Sequence, residues 1–513
     1  MSAAGARERK LDLLTIALPL LLAGLLAARE LSVRSLWLDE AATFAIASQH
    51  GGALWHAIGH DGGNMLGYYL LMHLVIGAFG GGAVAIRLPS VIATAATAGL
   101  VALLALRLFG RRLAIGAGLL CAVSLPLIFW GQNARGYALM VMFGTLSFVA
   151  FAAIVTAPAG TPPSRGTLAL YVISTALALY MGLVAVLLVA AQLALLPFVP
   201  RRAAAVLVAL GAVALVCVPL AVLAIGRGSG QLFWVPHPDH HVLGDAARTL
   251  TSAGMPPNFH RGSTGTLTLI ITGALLLAAL VTIALAGRGR MPVGERTAEL
   301  LIAAWFVVPV TLALLAALAG AQVELARDAI LVVPAVALLL AWVLGHPRIA
   351  PELGWAALAA LVVLRALQLG PSYGVSPEPW SRAVAYVSAY AGKGQCVAFY
   401  PQDTRMAFDY YIRDERAAGV LVPVLPARPW SSVSPYVERY AAPVASRLGA
   451  IAHDCPVLWL IASHEGRRDG PSASLANYRR YRTLMAELGR LYARRRERSF
   501  GWAAVIRVAR FDR

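Results

Sequence analysis

Apolar runs of membrane-spanning length decide what this chain can fold into. A helix that crosses a bilayer needs about 20 predominantly apolar residues, because the hydrocarbon offers its backbone no other hydrogen-bond partners. Eleven stretches approach that requirement, near residues 11–29, 84–108, 112–130, 138–157, 167–181, 183–199, 203–225, 264–286, 297–319, 328–345 and 353–370. The fifth and sixth are short and abut at Met181-Gly182. Hydrophobic residues make up 59% of the 513 and charged ones 13%, too little polar surface to coat a soluble body of that size. The expected fold class is therefore a polytopic α-helical membrane protein with about 11 transmembrane helices. Arg7, Arg9 and Lys10 precede the first run without a small-x-small cleavage pattern, which predicts a retained span rather than a signal peptide.

The net charge of +18 is carried mainly by arginine, and its placement orients the chain. Arg107, Arg111, Arg112, Arg165, Arg201, Arg202, Arg288, Arg290, Arg296 and Arg348 fall with the N-terminal cations in one set of short loops, predicted cytoplasmic. Asp39, Glu40, Asp61, Asp239, Asp245, Glu324 and Asp328 fall in the alternate, outward set. Leu66–Phe79 is apolar but short, and a crossing there would swap every later loop. It reads as a helix at the outer interface with its tyrosines at headgroup level. The first outer loop then runs from about 30 to 83, with helices near 39–49 and 52–60. No basic groove interleaved with aromatics is present, so no nucleic acid is expected as a partner.

From about residue 371 the composition changes. Pro371, Pro377 and Pro379 mark a linker between a transmembrane module, 1–370, and an extracytoplasmic soluble α/β domain, 371–513. Trp380–Tyr390 reads as a helix, Cys396–Tyr400 and Val457–Ile461 as strands, Tyr478–Arg498 as a basic helix and Ala503–Val508 as a last strand. Cys396 and Cys455 sit where the two strands start. If those strands are neighbours the pair can form a disulfide, which spacing alone leaves open.

Two clusters can carry chemistry. Asp39-Glu40 lies where the chain leaves the first span, and unpaired carboxylates there are expensive. The plainer reading is an acidic helix cap beside Trp37 as an interface anchor. His60-Asp61 adds a second acidic site, with Gly62 and Gly63 allowing close backbone approach. Gly131-Gln-Asn-Ala-Arg-Gly-Tyr137 is a polar break between spans in which Arg135 suits a phosphate or a carboxylate, or simply a lipid headgroup. Arg87 begins the second span beside Pro89, and Glu324, Arg327 and Asp328 sit at another outer turn; either set suits a structural ion pair. His237-Pro-Asp239-His240-His241 has metal-ligand residue types without catalytic-zinc spacing. No Walker loop or dinucleotide fingerprint is present, so substrates should meet the protein at the membrane.

Trp37-Leu-Asp-Glu40, Tyr68-Tyr69-Leu-Leu-Met-His73, Arg87-Leu-Pro89 and Ala134-Arg-Gly-Tyr137 together resemble the family-39-like glycosyltransferases of GT-C fold. These include bacterial relatives of protein O-mannosyltransferases and of the enzyme that adds aminoarabinose to lipid A. The resemblance is clearest over about 11–140, looser through Phe233-Trp-Val-Pro236 and Arg327, and returns over Trp380–Tyr411. It departs at Asn64-Met-Leu-Gly67, where many members have His-Pro-Pro-Leu, at Arg327-Asp328, where many have Arg-Tyr, and at Asn133, where many have Glu.

The resemblance implies transfer of a sugar from a polyprenyl-phosphate donor to a glycan, lipid or protein hydroxyl at the outer face of a bacterial plasma membrane, with inversion. It implies the acidic pair at the active site, with Asp39 as general base, Glu40 orienting it or the acceptor, and Asp61 holding sugar hydroxyls or serving as a second ligand if a cation is used. Arg135, Arg327 and Arg87 would hold the departing phosphate, and His60, Tyr68 and Tyr137 would line the substrate. Family members differ in metal use, so a divalent cation stays open. The competing readings are a transporter or lipid-linked-sugar flippase, against which no repeated halves are found, and a non-catalytic assembly or sensor protein.

Overall fold

The computed structural model describes the chain except residues 1–2, 62, 159, 228–234, 236–237, 256–262, 287–292, 414–418, 429–444, 469–471 and 502–503. Helices dominate. In order they are α1 (Ala3–Ala28), α2 (Leu38–Ala47), α3 (Gly51–His60), α4 (Leu66–Phe79), α5 (Ala83–Phe109), α6 (Arg111–Ala122), α7 (Leu125–Gly131) and α8 (Tyr137–Val155). Then come α9 (Arg165–Met181), α10 (Val186–Leu195), α11 (Pro200–Val216), α12 (Val218–Arg227), α13 (His240–Thr251), α14 (Ser263–Ala286) and α15 (Val293–Leu318). The last of the bundle are α16 (Leu325–Asp328), α17 (Val333–Leu344) and α18 (Pro351–Tyr373).

Among the described residues, 7 helices are long and apolar enough to cross a membrane, or up to 9 if each bent pair counts as one span. The expected eleven is not reached. Two of its members, Arg165–Met181 and Leu183–Phe198, are too short to qualify, and two others are bent, α6–α7 by 58° and α11–α12 by 56°. The α6–α7 break leaves carbonyls of α6 without helical partners. Arg365 of α18, 1% exposed, donates to Leu120 O at 3.2 Å and to Thr251 O at the end of α13 at 3.3 Å. One buried guanidinium thus caps two helices that stop inside the bundle.

Helix α4 forms over the range expected, and its tyrosines face into the protein. Tyr68 and Tyr69 are 0% and 1% exposed, packed inward, with Tyr69 donating to Asp61 Oδ2 at 2.9 Å. A phenol whose hydroxyl finds a buried acceptor gains more by turning inward than by facing lipid headgroups.

After α18 the chain builds a mixed sheet of five strands, β1 (Cys396–Tyr400), β2 (Val422–Leu425), β3 (Val457–Ala462), β4 (Arg494–Phe500) and β5 (Ile506–Asp512), in the order β2-β1-β3-β5-β4. The β1 pairings with β2 and β3 are parallel, and β5 runs antiparallel to β3 and β4. Alternation sorts side chains between two faces. Val397 and Phe399 pack with Trp380 of α19 (Trp380–Tyr390) and Phe408 of α20 (Thr404–Ile412). Cys396, Ala398 and Tyr400 pack with Leu448 of α21 (Ala445–Asp454) and Leu484 and Leu488 of α22 (Ser472–Leu491). Since β1 and β3 are neighbours, Cys396 and Cys455 meet and form a disulfide. The basic helix expected over 478–498 ends at Leu491, and Arg494–Phe500 is instead the charged edge strand β4.

Helix α2 belongs to both halves. Leu38, Ala41 and Ala42 join the apolar cluster of Trp380, Val384, Phe399 and Phe408, while Ile46 and Ala47 join the core of the bundle.

Candidate functional site

The site is built where α2 lies between bundle and sheet. Its N-cap position is Trp37, which has no capping side chain, and Asp39 sits in the first turn. Asp39 is therefore not the cap that an acidic residue here suggests. Its carboxylate points to arginines, with Arg327 Nη1 at 2.9 Å and Arg135 Nε at 3.9 Å from Oδ2. Burial drives its pKa up, but Arg135 and Arg327 outweigh burial and hold the carboxyl below its usual range.

The two arginines are poised differently. Arg327 pairs through Nε with Glu324 Oε1 at 2.8 Å, and its guanidinium lies 5.1 Å from the ring centroid of Trp37. Burial pushes the Glu324 carboxyl up to about 7 despite Arg327. Trp37 is 8% exposed and donates to Asn133 Oδ1 at 2.8 Å, so its ring is fixed beneath Arg327. Arg135 makes long hydrogen bonds to Asp39 O at 3.4 Å and Thr43 Oγ1 at 3.5 Å and interacts with the Tyr69 hydroxyl. Its Nε has no hydrogen-bond acceptor among the described residues.

Glu40 and Arg87 form a closed clasp. Arg87 Nε and Nη2 reach Glu40 Oε1 and Oε2 at 2.8 and 2.6 Å, and its remaining N–H groups go to Leu31 O, Arg34 O and Ser35 O. Ala134 N donates to Glu40 Oε1 at 2.8 Å. Both side chains are 1% exposed. All five donors of Arg87 are taken, so it is not available to a phosphate, and Glu40 has no open face for a substrate. The pair locks α2 and the Leu31–Ser35 segment onto α5 and the polar break. Gln132 joins in, accepting from Arg34 and donating to Arg29 O at 2.6 Å.

The other expected residues are divided. Asp61 closes α3 next to His60 and is held by Tyr69, and its charge acts on Arg135. Tyr137 packs tilted against Trp130 at 4.1 Å between ring centroids and interacts with Arg327. Tyr68 is fully buried and lines no open surface. Of the His237–His241 cluster, His237 lies outside the described residues, and Asp239 caps α13 by accepting from His241 N and Val242 N. Among the described residues, no group of three or more His, Cys, Asp or Glu is placed to hold a metal ion. Trp130, Glu378 and His464 are neighbours of the site that sequence reasoning missed. Only the Trp380 motif, two residues beyond Glu378, hinted at that region.

This fold, a bundle of membrane helices with a charged loop helix against a small sheet, is the GT-C architecture. ArnT from Cupriavidus metallidurans bound to undecaprenyl phosphate is similar at a TM-score of 0.54 and 14% identity, over 99% of this chain and 98% of that one. The Archaeoglobus fulgidus oligosaccharyltransferase tethered with an acceptor peptide gives 0.54 and 12%, over 88% and 69%. The same organism's AglB, in complex with an inhibitory peptide and a dolichol-phosphate, gives 0.53 and 12%, over 87% and 69%. No protein-family model and no curated protein matches the sequence.

Proposed function

We propose that this chain is a membrane glycosyltransferase that moves a sugar from a polyprenyl-phosphate donor to a hydroxyl of a glycan, lipid or protein acceptor. The observation that carries the reading is the Asp39 carboxylate flanked by Arg135 and Arg327, one of them with an unused donor. Similar folds bound to undecaprenyl phosphate and to dolichol-phosphate support it. So does a mainly apolar cavity of about 150 Å³, lined by Leu187, Leu243, Leu250, Leu314, Leu325 and Val332 with Asp328 at its wall, and suited to prenyl units. The arginine asymmetry of the loops and the Cys396–Cys455 disulfide support an extracytoplasmic site and sheet, with a cytoplasmic N-terminus in a bacterial inner membrane.

The reaction follows from the charges. Free Asp39 is a weak base because two cations hold its proton affinity down. A donor phosphate arriving at Arg135 and Arg327 competes for those cations, and Asp39 becomes more basic as they turn to the phosphate. The acceptor O–H gives its proton to Asp39 while its oxygen bonds the anomeric carbon. The bond from that carbon to the phosphate oxygen breaks with its electron pair, and the polyprenyl phosphate leaves against the arginines. One displacement inverts the centre, for a hexosyl or a pentosyl group alike.

The test is release of undecaprenyl phosphate from a panel of undecaprenyl-phosphate-linked sugars by protein in lipid nanodiscs supplied with lipid, glycan and peptide hydroxyl acceptors. Asp39→Asn should lower release by roughly 10²–10⁴-fold. It should leave undecaprenyl phosphate binding in place. Arg135→Ala should weaken that binding by about tenfold or more. Undiminished release by Asp39→Asn removes the base assignment, and a panel left wholly unconsumed removes the reading.

A further inference from the structure

Three observations place the sheet inside the site. Glu378, 2% exposed, lies in the linker before α19. Its Oε2 accepts from Leu38 N at 3.0 Å and from the Trp380 indole, and its Oε1 meets His464 Nε2 at 3.3 Å. Leu38 N is one of the first-turn amides of α2 that Trp37 cannot cap, so a carboxylate 340 residues away in sequence caps the helix bearing Asp39.

His464 follows β3 with φ at 54°, a left-handed conformation uncommon outside glycine. The strain is over-determined locally. Asn477 Nδ2 donates to His464 O at 2.6 Å, and Ser463 Oγ and His464 Nδ1 are 2.9 Å apart. The ring stays 41% exposed. A residue held in a costly conformation by its surroundings, with its ring open at the edge of a site, points to function.

The third observation is electrostatic. His464 acts on three carboxylates from three elements: Glu378 of the linker, Asp403 before α20 and Asp39 of α2. Arg135 and Arg327 act on Asp39 from the bundle, and Glu324 shares that field. No arginine or lysine pairs with Glu378 or Asp403 among the described residues, so His464 is the cation of this side when protonated.

We propose that the sheet-bearing segment supplies two positioning residues to Asp39: Glu378, which fixes the N-terminus of α2, and His464, which presents a cation to the Asp39 carboxylate from the sheet side. The proposal rests on Asp39 being the working carboxylate of the transfer reading. It makes the base depend on both halves of the chain. The bundle sets its phosphate-side partners, and the sheet sets its direction and the charge behind it.

The test needs no substrate, so its outcome is independent of the donor panel. Carbodiimide coupling requires a protonated carboxyl, and peptide mass spectrometry of full-length protein in nanodiscs reads Asp39 coupling against pH, with Asp409 and Glu352, which lie away from His464, as internal references. Removing a facing cation raises a carboxyl pKa. His464→Gln should therefore move the onset of Asp39 coupling to higher pH by roughly half a unit, with the references unmoved. Hydrogen exchange over residues 36–42 reads the cap. Glu378→Ala should speed exchange there by about tenfold. Glu378→Gln, whose amide oxygen still accepts from Leu38 N, should restore protection. An unmoved Asp39 profile in His464→Gln overturns the proposal, and so does unchanged exchange in a folded Glu378→Ala protein. If Glu378→Ala does not fold, the His464→Gln profile decides alone.

Discussion

Adjacent residues on a helix point about 100° apart, and that angle separates the two carboxylates after the first span. Glu40 faces the bundle and is consumed by Arg87, while Asp39 faces the junction and meets Arg135 and Arg327. The doublet marked a place but not a division of labour, because period-3.6 geometry acts only once the helix has a fixed face. Asp403 carries a prediction of its own. It is 9% exposed, and burial pushes its carboxyl up to about 6 although His464 and its backbone bonds pull the other way. A carboxyl whose pKa is higher folded than unfolded binds its proton more tightly in the folded state. Stability is then greatest below the unfolded value and falls as pH rises toward the folded one. Between about pH 4 and 6 the sheet should lose on the order of 1–3 kcal/mol. Asp403→Asn should flatten that slope, as read by thermal melting across the range. A wild-type slope of the opposite sign would show that other groups govern the sheet.

At the scale of elements, local signals served where pattern and environment agree. The Gly51–His60, Leu66–Phe79 and Trp380–Tyr390 helices and the strand at Cys396 are apolar or amphipathic over their whole length. Arg494–Phe500 misled because it is an edge strand with six exposed residues in succession, so no alternation betrays it. The bends after Ala122 and Val216 were equally hidden, since an apolar run reads the same straight or broken. The cysteine pair could not be assigned until β1 and β3 proved adjacent. Its bridge closes a loop with a sequence separation of 59. Replacing both cysteines by serine should cost roughly 3–4 kcal/mol. The loss should fall on the sheet, so limited proteolysis should cut after β1 before it touches the bundle. Equal protection of both forms would mean that the apolar layers alone hold the sheet.

For the whole molecule, the question is whether bundle and sheet are separable. One face of α2 is held by the Glu40–Arg87 clasp, which uses no residue beyond Ala134. The other face is held by the sheet side, through Leu38, Ala41 and Ala42 in the cluster of Trp380, and through Ser381 N to Ser35 Oγ and Leu38 N to Glu378. Since α18 runs through Pro371 to Tyr373, a fragment of residues 1–374 keeps the whole bundle with the clasp, Arg135, Arg327 and the apolar cavity, and loses everything on the sheet side. It should still bind undecaprenyl phosphate, because both phosphate-side cations remain. Its residues 36–48 should exchange amide hydrogens faster, and donor release should fall by at least about tenfold, since a misdirected base forfeits proximity. Supplying residues 375–513 as a second chain should recover part of the loss, because the contacts are non-covalent and bury apolar faces on both pieces. Release by the fragment at the full-length rate would show that the sheet is an appendage and that α2 needs only the bundle to hold Asp39 in place.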